Sequence, residues 1–211
     1  MQRKQFLRYL GASLGAAALA PVLTACGGGD DEWFNPVGVL TTAEIDALKF
    51  MREEEKLAYD VYVKLYDLWG ASVFLLISVS ERLHTEAILA LLDKYGIPDP
   101  AEGKAPGVFE DPALQALYNT LIVMGQVSLI EALKVGCLIE ETDIHDINEK
   151  KAITNELDIL IVYDSLLCGS RNHLRSFNDD LLSRGVTYLP TVISQAEWDA
   201  IATAPMETCG I

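Results

Sequence analysis

Four long stretches of the chain place apolar residues at steps of three and four, the spacing of a helix face. In the first, Ile45, Leu48, Met51, Ala58, Tyr62 and Leu65 share one face, and a helix is predicted over residues 40–68. Thr41 and Glu44, in "TTAE", make a capping box at its start, and Trp69-Gly70 ends it. A second helix is predicted over residues 72–95, with Phe74, Ile77, Ile88 and Leu91 inward and Gly96 and Pro98 as the stop. Residues 98–111 hold three prolines and two glycines and are a connection. Pro112 then opens a third helix, expected to run unbroken through "ALQALYNTLIVMGQVSLIEALKVGCLIEE" and to end between residues 142 and 150. It is apolar nearly all round, as a helix buried on most sides would be. A fourth helix is expected over about residues 155–184, with Ile159, Val162, Leu166, Phe177 and Leu181 inward and Gly185 after it. The tail carries a short helix capped at Ser194, with Glu197 three residues on. No stretch alternates with period two. The expected fold is all-α: a four-helix bundle over residues 40–185 with one long crossover between its pairs, then a C-terminal extension over residues 186–211.

Each inner face is interrupted by polar residues: Glu55 on the first helix, Glu81 and His84 on the second, Glu140 near the end of the third and His173 on the fourth. A buried carboxylate without a partner costs several kcal/mol, so these acids need pairing or a cation. Glu81 and His84 stand at i and i+3, on one face and within reach of one ion. Carboxylate and neutral imidazole together suit iron or manganese, and also zinc. Glu55 lies in the charge run "REEEK", a pattern typical of a solvated face, so it counts only in combination with the others. Glu131 has Lys134 three residues on and reads as half of a surface ion pair. Cys137 lies one turn before Glu140 and reads as a small buried residue. His145 sits between acids near a helix end and reads as a surface residue. Tyr62 is placed to hydrogen-bond a ligand carboxylate from behind, with plain core burial as the alternative.

Ahead of the helices, "MQRKQFLRYL" supplies a basic start and "GASLGAAALAPVL" a short apolar run. "LTAC", residues 23–26, resembles the lipobox of bacterial lipoproteins, which predicts a signal peptide over residues 1–25 and acylation of Cys26. Residues 26–39, with "GGGDDE", would be a lipidated tether. Gly27 in place of Asp leaves out the usual inner-membrane retention signal. "RKQFL" is similar to a twin-arginine signal with Lys4 in place of the second arginine. Removing the leader takes away three basic residues and no acidic one, so the net charge moves from −15 to −18. Such a chain repels nucleic acid and attracts metal cations. Export permits disulfides among Cys137, Cys168 and Cys209, and the odd number leaves at least one of them a free thiol or bonded to another molecule. No CxxC or CxxH spacing suggests structural zinc.

"EEEKLAYDVY" resembles the first helix of rubrerythrin-type proteins of the ferritin-like superfamily, on the spacing of Glu55, Ala58 and Tyr62; Glu81 and His84 resemble the second-helix motif. With "LIEETDI" and "GSRNHLRSF", residues 40–182 are similar to the ferritin-like family known as domain of unknown function 2202, over about two thirds of the chain. The resemblance implies a di-iron carboxylate site of Glu55, Glu81, His84, Glu140 and His173. It would require Glu at position 170, where this chain has Ser170, so one or two ions remain open and Glu141 and Asp143 stand as alternate ligands. The expected function is an envelope-anchored, metal-binding protein, bacterial and facing the periplasm or exterior, with ferroxidase or peroxide-reducing activity at an iron site, manganese or zinc being the other metals. The alternative is a non-catalytic helical lipoprotein that serves as a binding or scaffold module, its acids neutralised by Arg82, Arg171 or Arg175. Expected partners are metal ions and a membrane through Cys26, not nucleic acid; a homodimer is left open. A ferritin-like cage is disfavoured by a lipid on every subunit.

Overall fold

A computed structural model describes residues 38–210. The signal segment, Cys26 and the tether as far as residue 37 lie outside the described residues. All regular structure among the described residues is helical: α1 (Thr42–Trp69), α2 (Ser72–Tyr95), α3 (Pro112–Gly125), α4 (Leu129–Lys151), α5 (Leu157–Ser183) and α6 (Gln195–Ala202). None of these helices is long and apolar enough to cross a membrane.

The local signals in the sequence set most boundaries. Thr41 Oγ1 accepts from the Glu44 amide at 3.3 Å, and Glu44 Oε2 accepts from the Thr41 amide at 2.8 Å, so two orphan donors of the first turn are satisfied. Gly70 and Gly96, both at φ 65°, turn the chain out of α1 and α2, a conformation that costs other residues about 1 kcal/mol or more. Asp111 caps α3 by accepting from the amides of Ala113 and Leu114. Ser194 caps α6 through the Glu197 amide.

The unbroken third helix expected from the apolar run is corrected: the chain leaves α3 after Gly125 and starts α4 at Leu129. Two local causes act together. Gly125 lies so close to α1 that a Cβ there would sit 2.6 Å from Leu65 Cδ2, and its carbonyl accepts from Trp69 Nε1 at 2.9 Å. Ser128 then caps the new helix by accepting from the Glu131 amide at 3.1 Å, the Ser-x-x-Glu signature of a fresh start. Glu140 is therefore in the middle of α4, not near a helix end, and α3 belongs to the crossover.

Helix α1 runs beside α2 and α4, and α5 runs beside α4 and α2; α3 lies on α1 and α4, and α6 on α5. The four long helices thus enclose one interior. Tyr62, Phe74 and Phe177 fill part of it, with ring centroids 5.2–6.2 Å apart and no exposure to water. Removing a phenylalanine side chain from water contributes about 3 kcal/mol.

The "EEE" run is not a solvated face. Glu53, Glu54 and Glu55 are 2, 5 and 1% exposed, and successive helical residues point about 100° apart. Glu53 accepts from the amides of Glu110 and Asp111, and Asp60 from that of Gly107. Arg52 forks onto Asp99 at 3.2 and 3.0 Å. Charged side chains of α1 thereby hold down the connection ahead of α3.

Candidate metal centre

Glu55 on α1 and His84 on α2 meet in the interior, with Glu55 Oε2 3.2 Å from His84 Nδ1. Oε2 of Glu81 is 2.9 Å from the same nitrogen. The other oxygen of Glu81, Oε1, is 2.8 Å from His173 Nδ1 on α5, and Glu140 Oε2 on α4 is 3.5 Å from that nitrogen. Two three-residue groups result, Glu55–Glu81–His84 and Glu81–Glu140–His173, each with ligand atoms within 4.8 Å of one another. Glu81 belongs to both. The imidazole rings stack with centroids 5.5 Å apart. All five sequence-predicted ligands are brought together, and all are buried.

The local sequence explains why these side chains face inward. Three residues on a helix span nearly one turn, so Glu81 and His84 leave α2 on the same side. His84 has room because α5 offers Gly169 opposite it: a Cβ there would lie 2.6 Å from His84 Cε1 and Nε2. Tyr62 donates to Glu140 Oε1 at 2.5 Å, which fixes one carboxylate oxygen and leaves Oε2 toward His173. Serine takes the place of the second carboxylate on α5: the Ser170 hydroxyl donates to Asp143 Oδ2. Asp143, one of the two alternates, is buried on α4 close enough to feel the charges of Glu55, Glu140 and Glu81, but it stands outside both three-residue groups.

Glu141, the other alternate, turns the opposite way. Its carboxylate accepts from the Tyr188 hydroxyl at 2.7 Å, from the Thr191 amide and hydroxyl, and from the Val192 amide. It anchors the C-terminal extension. A disulfide between Cys168 and Cys209 and the pairing of Arg171 and Arg175 with Glu207 anchor the same extension to α5. Cys137 is buried as a free thiol, and burial pushes its pKa well up, so it is an inert packing residue. Glu131 pairs with Lys134 at 2.8 Å. His145 lies half-exposed, 2.9 Å from Asp146.

The electrostatics show what the centre is short of. Burial pushes the carboxyls of Glu55 and Glu140 up to about 7, against the pull of His84 and His173. Burial also raises Asp143 well above its ordinary value, with Glu55 and Glu140 adding to it. Burial would raise Glu81 too, but the His173 and His84 charges override it and hold Glu81 well below. Burial would lower His173; Glu81 and Glu140 raise it instead, to about 9. Three carboxyls face two imidazoles, and among the described residues no arginine pairs with them: Arg82 pairs with Glu86, and Arg171 and Arg175 with Glu207.

The residues fit a metal ion. Glu55 Oε1 and Asp143 Oδ1 are buried with no hydrogen-bond partner, and neither neighbouring carboxylate meets His173 Nδ1 with hydrogen-bond geometry. Buried carboxylate oxygens and an imidazole nitrogen left without partners are donors that divalent first-row metals take. Sequence reasoning missed three features: the sharing of Glu81, the gap at Gly169 and the Ser170–Asp143 contact. A glycine inside a helix and a buried serine carry no chemical signature of their own; only the fold shows what they face.

Residues 44–205 match the family model described as "Uncharacterized protein domain (DUF2202)". The chain is 42% identical over 172 residues to uncharacterized protein MJ0754 of Methanocaldococcus jannaschii, covering 82% of this chain and 93% of that one. The crystal structure of the hypothetical protein MJ0754 from Methanococcus jannaschii DSM 2661 matches with a TM-score of 0.80, covering 82% of this chain and 98% of the crystallised one. The matched span contains all five interior acids and imidazoles, so the helices and the centre they enclose lie in the part of the chain that belongs to the DUF2202 family.

Proposed function

We propose that this chain is a ferritin-like metalloprotein. In this reading α1, α2, α4 and α5 form the four-helix bundle and hold two metal ions, one at Glu55–Glu81–His84 and one at Glu81–Glu140–His173. The observation that carries the reading is the division of Glu81, whose two oxygens face different histidines. Asp143 supplies the carboxylate that position 170 lacks. Iron matches the donor set, as do manganese and zinc. The activity proposed is ferroxidase or peroxide-reducing oxidoreductase. Iron held by Glu55, Glu81, His84, Glu140 and His173 would supply the one-electron redox chemistry that such an activity needs, with peroxide or oxygen as the oxidant.

The protein's own part is to bind and orient. Tyr62 holds Glu140 in one orientation. The Tyr62, Phe74 and Phe177 rings keep water from one side of the centre, and a low-dielectric wall strengthens each charge interaction inside it. The leader and Cys26 complete the reading, with a lipid anchor that places the centre at the cell envelope, on the periplasmic or exterior face.

Protein expressed with iron should carry metal near two ions per chain. Glu81→Gln and His84→Ala should lose most of it. Metal content unchanged in both variants would put the site elsewhere. The second reading, a non-catalytic bundle lipoprotein, draws on Ser170. It requires the interior acids to be neutralised without metal, and the arginines expected to do so are engaged with Glu86 and Glu207.

A further inference from the structure

The two histidines of the centre end parallel stretches of sequence: Ser80-Glu81-Arg82-Leu83-His84 on α2 and Gly169-Ser170-Arg171-Asn172-His173 on α5. One turn ahead of its imidazole, α2 carries a hydroxyl where α5 carries no side chain. Ser80 Oγ lies 3.5 Å from His84 Nε2, at the long end of hydrogen-bonding distance. The other ring nitrogen, Nδ1, faces Glu81 at 2.9 Å and Glu55 at 3.2 Å. The two nitrogens of one buried ring thus look to different sides, one to the carboxylates and one to Ser80.

The contact is unusual for a helical serine. A hydroxyl inside a helix ordinarily turns back to a carbonyl of the preceding turn. Ser78 donates to the Leu75 carbonyl at 2.9 Å, Thr85 to that of Arg82 at 2.7 Å, and Ser170 and Ser176 to those of Leu166 and Asn172 at 3.0 Å. Ser80 turns forward to the ring instead. The His84 side chain is 5% exposed, so an N–H on its far edge has little water to donate to and needs a protein acceptor. Gly169 makes the room for that same edge, since a Cβ there would lie 2.6 Å from Nε2.

Neutral imidazole has one N–H and one bare nitrogen, and only the bare one can bind a cation. Nδ1 is the nitrogen among the carboxylates, so the proton belongs on Nε2. A hydroxyl oxygen that accepts this proton fixes both the tautomer and the ring's orientation. We propose that Ser80 is a positioning residue for the metal centre: its hydroxyl accepts from Nε2–H of His84 and thereby presents a bare Nδ1 to a cation held with Glu55 and Glu81. The inference rests on the metal reading of that centre. His173 has no counterpart on its own helix, because Gly169 stands at the same offset.

The full chain loaded with Co(II) tests it by proton NMR, since Co(II) moves the ring N–H of a ligating histidine far outside the ordinary range. The exchangeable resonance of His84 is the one retained in His173→Gln. In Ser80→Ala that N–H should exchange with water faster, and Co(II) affinity should fall about tenfold, while the His173 resonance stays as it was. Ser80→Thr, which restores a hydroxyl, should recover both quantities. No exchangeable His84 resonance in the loaded wild type, unchanged exchange and affinity in Ser80→Ala, or no recovery in Ser80→Thr would each overturn the proposal. Wild-type protein that took up no Co(II) would overturn the metal reading, and the role of Ser80 with it. Uptake with no response to Ser80→Ala rejects the role of Ser80 alone.

Discussion

The ring of His84 lies against the bare Cα of Gly169, where a Cβ would come within 2.6 Å of Cε1 and Nε2. The imidazole is thus held between α5 behind it and two carboxylates in front, its Nδ1 2.9 Å from Glu81 and 3.2 Å from Glu55. Alanine is a better helix former than glycine by about 1 kcal/mol, so Gly169→Ala separates secondary-structure effects from ligand placement. The variant is expected to keep its helix content and to bind Mn(II) about 10- to 100-fold more weakly, as changes behind a metal ligand do. Circular dichroism and isothermal titration read the two quantities.

Asp143 stands where its role can be isolated. Asp143→Asn keeps the shape and a bond from Ser170 but removes a charge. Metal affinity is expected to fall by about 1–2 powers of ten, while Glu141→Gln leaves it unchanged. Equal effects from both would contradict the opposed placement of these residues.

Glu141 predicts a different loss. Its oxygens accept from Tyr188, Thr191 and Val192, and hydrogen bonds to a charged group contribute about 1.5–3 kcal/mol each. Glu141→Ala is expected to cost about 3 kcal/mol or more of stability in urea unfolding. The C-terminal extension should become sensitive to protease while metal content holds.

Stability of the metal-free protein should fall as pH rises. Glu55 and Glu140 titrate near 7 in the fold, above their ordinary value of 4.5. The folded state therefore holds protons that the unfolded chain releases, and this stabilisation is lost between pH 4.5 and about 7. His173 is raised from 6.5 to about 9, and its contribution disappears over that window. Metal-free protein should melt lower at pH 9 than at pH 5. Metal affinity should run the other way, since a cation replaces those protons. Thermal melts across pH, with and without Mn(II), give both signs. A free metal concentration one hundred times Kd should add about 2.7 kcal/mol.

Much of the helical layout could be read from local chemistry: "TTAE" for α1, Gly96 for the end of α2, Pro112 for α3 and Ser194 for α6. The break before α4 was also written in the chain, as Ser128 and Glu131, but the uniform hydropathy of that stretch masked it. Its other cause, the contact of Gly125 with Leu65 and Trp69, exists only after α1 and α3 meet. The five interior acids and imidazoles were legible because helical periodicity puts polar residues on apolar faces. Glu140 was singled out, but Glu141 stood beside it as an alternate, since adjacent acids differ only in which neighbour lies about 100° round the helix. For the same reason "EEE" looked like a solvated run, although all three of its residues are buried.

The account depends most on Glu81 lying between two cations. Crystals grown with Fe(II) under anaerobic conditions, measured on either side of the iron absorption edge, test that directly. The account predicts two anomalous peaks, one on the Glu55–His84 side of the Glu81 carboxylate and one on the Glu140–His173 side. No iron peak at either place, with the five side chains as close together as they are here, would contradict it.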